Sequence, residues 1–179
     1  MKRPFSSTKS PITQAILSIA SLLALFMGSN VASADIKIVM YQLTENGQGE
    51  KLETVIARDT EAGLAFSLNL SGLPPGSHGF HIHRYASCAN GGAAAGGHFD
   101  PEDTLKHLGP NGGGHLGDLP LLIVDANGQA NVEVVAPRLK EKDIHAHSLM
   151  IHAGGDNFSD EPLPLGGGGA RIACGLIPN

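Results

Sequence analysis

His81 and His83 stand two apart in the apolar run GFHIH (residues 79–83). Side chains on an extended strand alternate between faces, so both imidazoles point the same way and can share one ion. His78 is offset from His81 by three and should face the other way if the strand reaches that far. Further along, His98, His107 and His115 are spaced by nine and eight, and Asp118 follows three later, in GGHFDPEDTLKHLGPNGGGHLGD. A glycine-rich backbone can turn back sharply enough to bring such groups together. Three imidazoles and a carboxylate satisfy a tetrahedral zinc site, and imidazole also suits copper. Scattered, solvated loop histidines are the plainer alternative, but they do not account for an acid placed so near the third. By the same parity count His145 and His147 share a face, while His152 is offset from both by an odd number, given a continuous strand.

These groups need elements to hold them. Short runs divided by Gly, Pro and Asn predict strands at 36–41, 53–58, 64–70, 79–83, 119–125, 129–136, 148–152 and 171–177. Several alternate in polarity or carry β-branched residues. No segment has a long helical stripe. Many short strands of this kind predict an all-β antiparallel sandwich or barrel. Residues 84–118 and 153–170 break the rhythm as long glycine-rich loops. The first concentrates histidine and acid, which a mere linker has no reason to do.

The first 34 residues read as a secretory signal peptide. Lys2, Arg3 and Lys9 form a basic start, Ala15 to Met27 an apolar stretch, and Ala32-Ser33-Ala34 a cleavage site, with the cut after Ala34. The apolar stretch is short for a membrane span. The functional domain is then 35–179. Loss of three basic and no acidic residues moves the net charge from −5 to −8. So acidic a chain is a poor binder of nucleic acid or anionic membrane. Its two cysteines, Cys88 and Cys174, are even in number in an exported chain, which favours a disulfide over two buried thiols.

The motifs GFHIH, AGGHFDP, KHLGP, GHLGD, LMIHAGGD and GGGGARIACG, in that order, resemble the copper/zinc superoxide dismutases, in the form found in the periplasm of Gram-negative bacteria. The resemblance spans residues 36–179. It implies a Greek-key β-sandwich, a flattened eight-stranded barrel with two long functional loops. It implies that His81, His83, His98 and His152 bind copper, and that His98, His107, His115 and Asp118 bind zinc, with His98 bridging the two. Asp156 would link His81 to His107, and Arg171 would be the active-site arginine. The Cys88–Cys174 bridge would tie the loop after His83 to the strand carrying Arg171. His78 matches a structural histidine, whereas His145 and His147 match no metal residue and are expected at the surface.

The implied reaction is disproportionation of superoxide to dioxygen and hydrogen peroxide, with copper cycling between two oxidation states and zinc in a structural and electrostatic role. Superoxide is the expected substrate, the periplasm the expected location, and monomer and homodimer both stay open. The chain departs from the family in its steering charges. Neither AGGDNFSDEPLP nor ANGGAAAGG carries the lysine that relatives place in one of these loops. Arg84 and Lys106 are the nearest basic candidates, and Arg84 is expected to contribute. The competing readings are a non-catalytic copper/zinc-binding protein and a structural sandwich that uses zinc as a staple.

Overall fold

The computed structural model describes residues 34–179 and Met1. The secretory segment expected over 1–34 lies outside the described residues, its two end positions excepted. Among the described residues there are nine strands: β1 (Ile36–Thr44), β2 (Gly47–Thr60), β3 (Gly63–Leu70), β4 (Gly76–His78), β5 (Phe80–His83), β6 (Leu122–Val124), β7 (Ala130–Ala136), β8 (Ser148–His152) and β9 (Arg171–Leu176). β4 and β5 are one extended stretch interrupted at Gly79. Counted together, they give the eight strands expected. No helix among the described residues is long and apolar enough to cross a membrane.

Seven strands form one antiparallel sheet in the order β5-β8-β9-β1-β2-β3-β7, and β4 pairs with β6. Several strand boundaries differ from expectation, most of them by one to three residues, and the starts of β6 and β2 have a visible cause. β6 begins only at Leu122, because Pro120 has no N–H to give to a ladder. β2 begins early, at Gly47, and takes in the glycine and polar residues 47–51, where pairing with β1 continues across two register shifts.

Residues at period 2 fill the core: Ile36, Ile38 and Met40 from β1, Leu64, Phe66, Leu68 and Leu70 from β3, and Leu149 and Ile151 from β8. Phe66 meets Phe80 edge to face at 5.8 Å, a favourable aromatic geometry. On β5, Phe80 and Ile82 join this core, so His81 and His83 leave from the opposite face. Met150 and Cys174 also leave the core face, packing with Cys88 and Ala95 in a second small cluster.

The loop over 84–118 covers this second face. Cys88 and Cys174 form a disulfide with their Cα atoms 5.9 Å apart, which anchors the start of the loop. Its far part closes on β5, where the Ile82 N–H donates to the Gly117 carbonyl (2.9 Å) and the Phe99 N–H to the Ile82 carbonyl (2.8 Å). Glycine is required at 117, since a Cβ there would run into the Ile82 carbonyl oxygen. This lacing sets His98 opposite His83 and Asp118 opposite His81.

Candidate metal centre

Four elements converge. β5 supplies His81 and His83, the end of β8 supplies His152, the start of β9 supplies Arg171, and the long loop supplies His98, His107, His115 and Asp118. Met150 pairs with Cys174 and Ile151 with Ala173, but His152 pairs with Arg171, so Ile172 is an extra residue on β9. This β-bulge re-aims the chain by one position. Ile172 packs toward the core, and Arg171 turns to the face of His152.

The donor atoms fall into two sets that share one residue. His81, His83, His98 and His152 each place a ligand atom within 4.8 Å of the others, as do His98, His107, His115 and Asp118. All seven residues are buried. Asp156 lies between the sets. His81 Nε2 donates to its Oδ2 (2.7 Å) and His107 Nε2 to its Oδ1 (2.7 Å).

Hydrogen bonding decides which ring nitrogens remain free. His83 Nδ1 donates to the Gly96 carbonyl (2.9 Å), and His152 Nδ1 to the Gly169 carbonyl (3.2 Å). A carbonyl accepts only, so both protons sit on Nδ1. The two Nε2 lone pairs then face each other at 3.2 Å, a repulsive arrangement unless a cation lies between the ligands. His81 and His107 spend Nε2 on Asp156. Their Nδ1 atoms, with His115 Nδ1 and Asp118 Oδ2, are buried without a hydrogen-bond partner. Asp118 Oδ2 lies 3.0 Å from His107 Nδ1 without the alignment of a hydrogen bond. Orphaned buried polar atoms are rare, and here they are the atoms a metal needs. Imidazole lone pairs in the first set suit copper, and three imidazoles with a carboxylate in the second suit zinc.

Electrostatics keep the donors ready. Burial pushes His81 down to about 3 and His152 down to about 4, and holds His83 well below the ordinary imidazole range. Burial lowers His98 as well. These rings stay neutral at neutral pH. His107 behaves oppositely: burial resists its charge, but Asp118 and Asp156 outweigh burial and raise it to about 9. Burial resists the charge on Asp118 and Asp156 too, yet the neighbouring histidines, His107 foremost, hold both carboxyls well below their ordinary range.

Above the first set lies a cavity of about 250 Å³, walled by His83, His98, His152, Leu165, Gly168 and Arg171. Arg171 is its cation. The guanidinium is half-buried and tied to backbone oxygens, with Nη1 donating to the Gly92 carbonyl and Nη2 to the Gly96 carbonyl (2.6 Å). Gly96 therefore holds His83 and Arg171 through one oxygen. These two bonds use two of the five guanidinium N–H groups of Arg171 and leave three for an anion.

The remaining sequence candidates lie outside both sets. His78 is buried in β4, with its ring nitrogens on the His152 carbonyl (2.7 Å) and the Pro74 carbonyl (2.8 Å). It supports the His152 backbone. His145 and His147 are half-buried. Their Nδ1 atoms bond the Pro178 and Arg84 carbonyls, and β8 begins only at Ser148, after Ala146 at φ +59°. The parity count that assumed a continuous strand through them does not apply. Arg84 is exposed, with its guanidinium 5.5 Å from the Tyr85 ring centre, and neither it nor Lys106 lines the cavity. Sequence reasoning missed Asp160, which accepts the His107 backbone N–H, and Arg138, whose guanidinium donates to the Gly114 (2.9 Å) and His115 (3.2 Å) carbonyls. Both act on backbone, which leaves no trace in residue spacing.

Comparison with known proteins agrees with this geometry. The family described as copper/zinc superoxide dismutase matches residues 52–177. The Cu-Zn superoxide dismutase of Escherichia coli (strain K12) is 49% identical over 166 residues, covering 88% of this chain and 96% of that protein. Superoxide dismutase [Cu-Zn] 2 of Salmonella typhimurium is 51% identical, covering 90% and 96%. Among solved structures, the Cu/Zn superoxide dismutase from Brucella abortus has a TM-score of 0.77 at 46% identity, over 80% of this chain and 99% of that one. The monomeric copper, zinc superoxide dismutase from Salmonella enterica has a TM-score of 0.71 at 52% identity, over 80% and 99%.

Proposed function

The chain belongs to the copper/zinc superoxide dismutase family, and on that premise we propose that His81, His83, His98 and His152 hold copper while His98, His107, His115 and Asp118 hold zinc. The protein is an enzyme, and its reaction is the disproportionation of superoxide to dioxygen and hydrogen peroxide. The observation that carries the assignment is the membership of His98 in both donor sets. Copper, when bound, supplies the two accessible oxidation states that take an electron from one superoxide and return it to the next, which zinc lacks.

The chain's own residues do the rest. Arg171 draws the anion in and orients it over His83, His98 and His152, in a small cavity that limits access to larger molecules. Fixed by two carbonyls, its guanidinium needs no reorganisation when substrate arrives. His98 Nδ1 donates to Asp118 Oδ1 (2.9 Å) and the same ring lines the cavity, so Nε2 is the atom able to hold and release a proton at the reacting oxygen. Asp156 fixes the tautomers of His81 and His107 together, as outer partners of metal ligands do. Asp118 balances zinc's charge.

Arg84 is proposed as a weak steering charge outside the cavity. Arg84→Ala should lower the rate at low ionic strength and flatten its fall with added salt.

A non-catalytic metal store would use the same ligands but has no need for a cation fixed over the cavity. We further propose export across the inner membrane, cleavage after Ala34 and action in the periplasm, which the mature N-terminus read by mass spectrometry would check. Every proposed ligand comes from one chain, so that chain is the catalytic unit, whether or not it pairs as a homodimer.

The experiment is superoxide dismutation by purified protein, with copper and zinc measured on the same sample. Activity with about one copper and one zinc per chain, abolished in His152→Ala, supports the reading. Full occupancy of both metals without activity would leave only a metal-binding protein.

A further inference from the structure

The loop over 153–170 takes hold of His107 twice. Asp156 Oδ1 accepts from the ring at Nε2 (2.7 Å), and Asp160 Oδ2 accepts from the backbone N–H (2.9 Å). The other oxygen of Asp160, Oδ1, accepts the Leu165 N–H (3.2 Å). Leu165 and the neighbouring Pro164 line the cavity above His83, His98 and His152. One half-buried carboxylate thus joins a donor residue of the second set to the wall of the cavity over the first.

The surrounding chain has its own closure. Asn157 N–H donates to the Gly166 carbonyl (3.2 Å), Gly166 N–H to the Ser159 carbonyl (2.9 Å), and Ser159 N–H to Asn157 Oδ1 (3.0 Å). Residues 157–166 are a self-bonded unit, and Asp160 projects from it onto the other loop. Glycine is needed at 166, where φ is +73° and a Cβ would strike Asp156 Oδ1. The unit therefore packs directly on the Asp156 carboxylate.

We infer that Asp160 is a positioning residue that couples zinc binding at His107 to the shape of the cavity wall at Pro164 and Leu165. The inference rests on the assignment of zinc to His98, His107, His115 and Asp118. A zinc ion that fixes His107 fixes the amide Asp160 grips, and so the other amide Asp160 holds. Coupling of this kind is reciprocal, so loosening Asp160 weakens zinc as well. Asp160 touches neither substrate nor metal and acts only through other groups.

The test uses zinc ion alone, buffered by a competing chelator, on purified parent, Asp160→Ala and Asp160→Asn. Zinc affinity should fall about tenfold in the Ala variant, within the usual range for outer partners of metal ligands. It should fall less in the Asn variant, whose amide oxygen keeps one acceptor. Copper affinity should be unchanged. In the parent, zinc should slow hydrogen exchange at the Leu165 and Gly166 amides, and in the Ala variant that slowing should be absent even at saturating zinc. Unchanged zinc affinity, or zinc-dependent slowing that persists in the Ala variant, overturns the inference. Equal loss of copper and zinc affinity marks general loosening and overturns it too. A parent that binds no zinc overturns the zinc assignment itself, which a failed variant alone would not.

Discussion

Arg171 lies opposite His152 across a β-bulge, with Ile172 as the extra residue. In a regular ladder Ile172 would oppose His152 and Arg171 would face the core. The bulge instead places the cation and an imidazole on one face, above one cavity. Its position beside the site is where such irregularities commonly re-aim a side chain.

Arg171→Ala should therefore cut dismutation about tenfold or more, since one fixed cation supplies the field in the cavity. Copper and zinc content should stay at parent levels. Arg171→Lys should recover only part of the rate, because an ammonium cannot span the Gly92 and Gly96 carbonyls as a planar fork does. Rate constants at several ionic strengths, with metal analysis, check this.

Asp156 joins a proposed copper ligand to a proposed zinc ligand. Asp156→Ala frees the rings of His81 and His107 and leaves two buried Nε2 donors unpaired. Affinity for both metals should fall about 10- to 100-fold, with activity falling in step unless metal is in excess. Titration of each metal against a competing chelator gives the answer.

The metal-free protein should lose stability toward alkaline pH. His107 is raised from its ordinary value of 6.5 to about 9 by Asp118 and Asp156, against the effect of burial. A group whose folded value is raised stabilises the fold fully below its unfolded value and ceases to do so above its folded one. The contribution is thus whole below about 6.5 and disappears as pH rises through about 9. Thermal midpoints from pH 6 to 10 should show the decline without metal and lose it when zinc has replaced the proton. Zinc loading at pH 7.5 should also release close to one proton from this ring.

Reduction of the Cys88–Cys174 bridge opens a loop of 86 residues and should cost about 4.5 kcal/mol on the loop-entropy account. Cys88 also anchors the stretch whose Gly92 and Gly96 carbonyls hold Arg171. Activity should fall further than metal content at temperatures where the reduced chain remains folded. Denaturant midpoints and metal analysis with and without reductant separate the two effects.

Much of this was legible in the sequence because β-strand parity is a strict rule. It placed His81 and His83 together and His78 apart, and all eight expected strands are observed. Parity failed where its premise failed. Ala146 at positive φ breaks the chain before Ser148, so His145 and His147 say nothing about the direction of His152. The bulge at Ile172 was not legible, since a β-branched residue in an apolar run reads as regular strand. Asp160 and Arg138 escaped notice for another reason. Their partners are backbone groups, which every residue carries, so no spacing singles them out. The sharing of His98 and the link through Asp156 came from family resemblance, since convergence across loops depends on three-dimensional closure.

β5 is an edge strand, and the loop that brings the donors together also occupies its outer side through Phe99 and Gly117. Peptide groups left bare on such an edge recruit strands from other molecules. Segment 98–118 therefore serves as a guard as well as a cradle. When the metals leave and that segment loosens, the first thing uncovered is a sticky border of Phe80–His83, so emptied protein should clump where loaded protein stays dispersed.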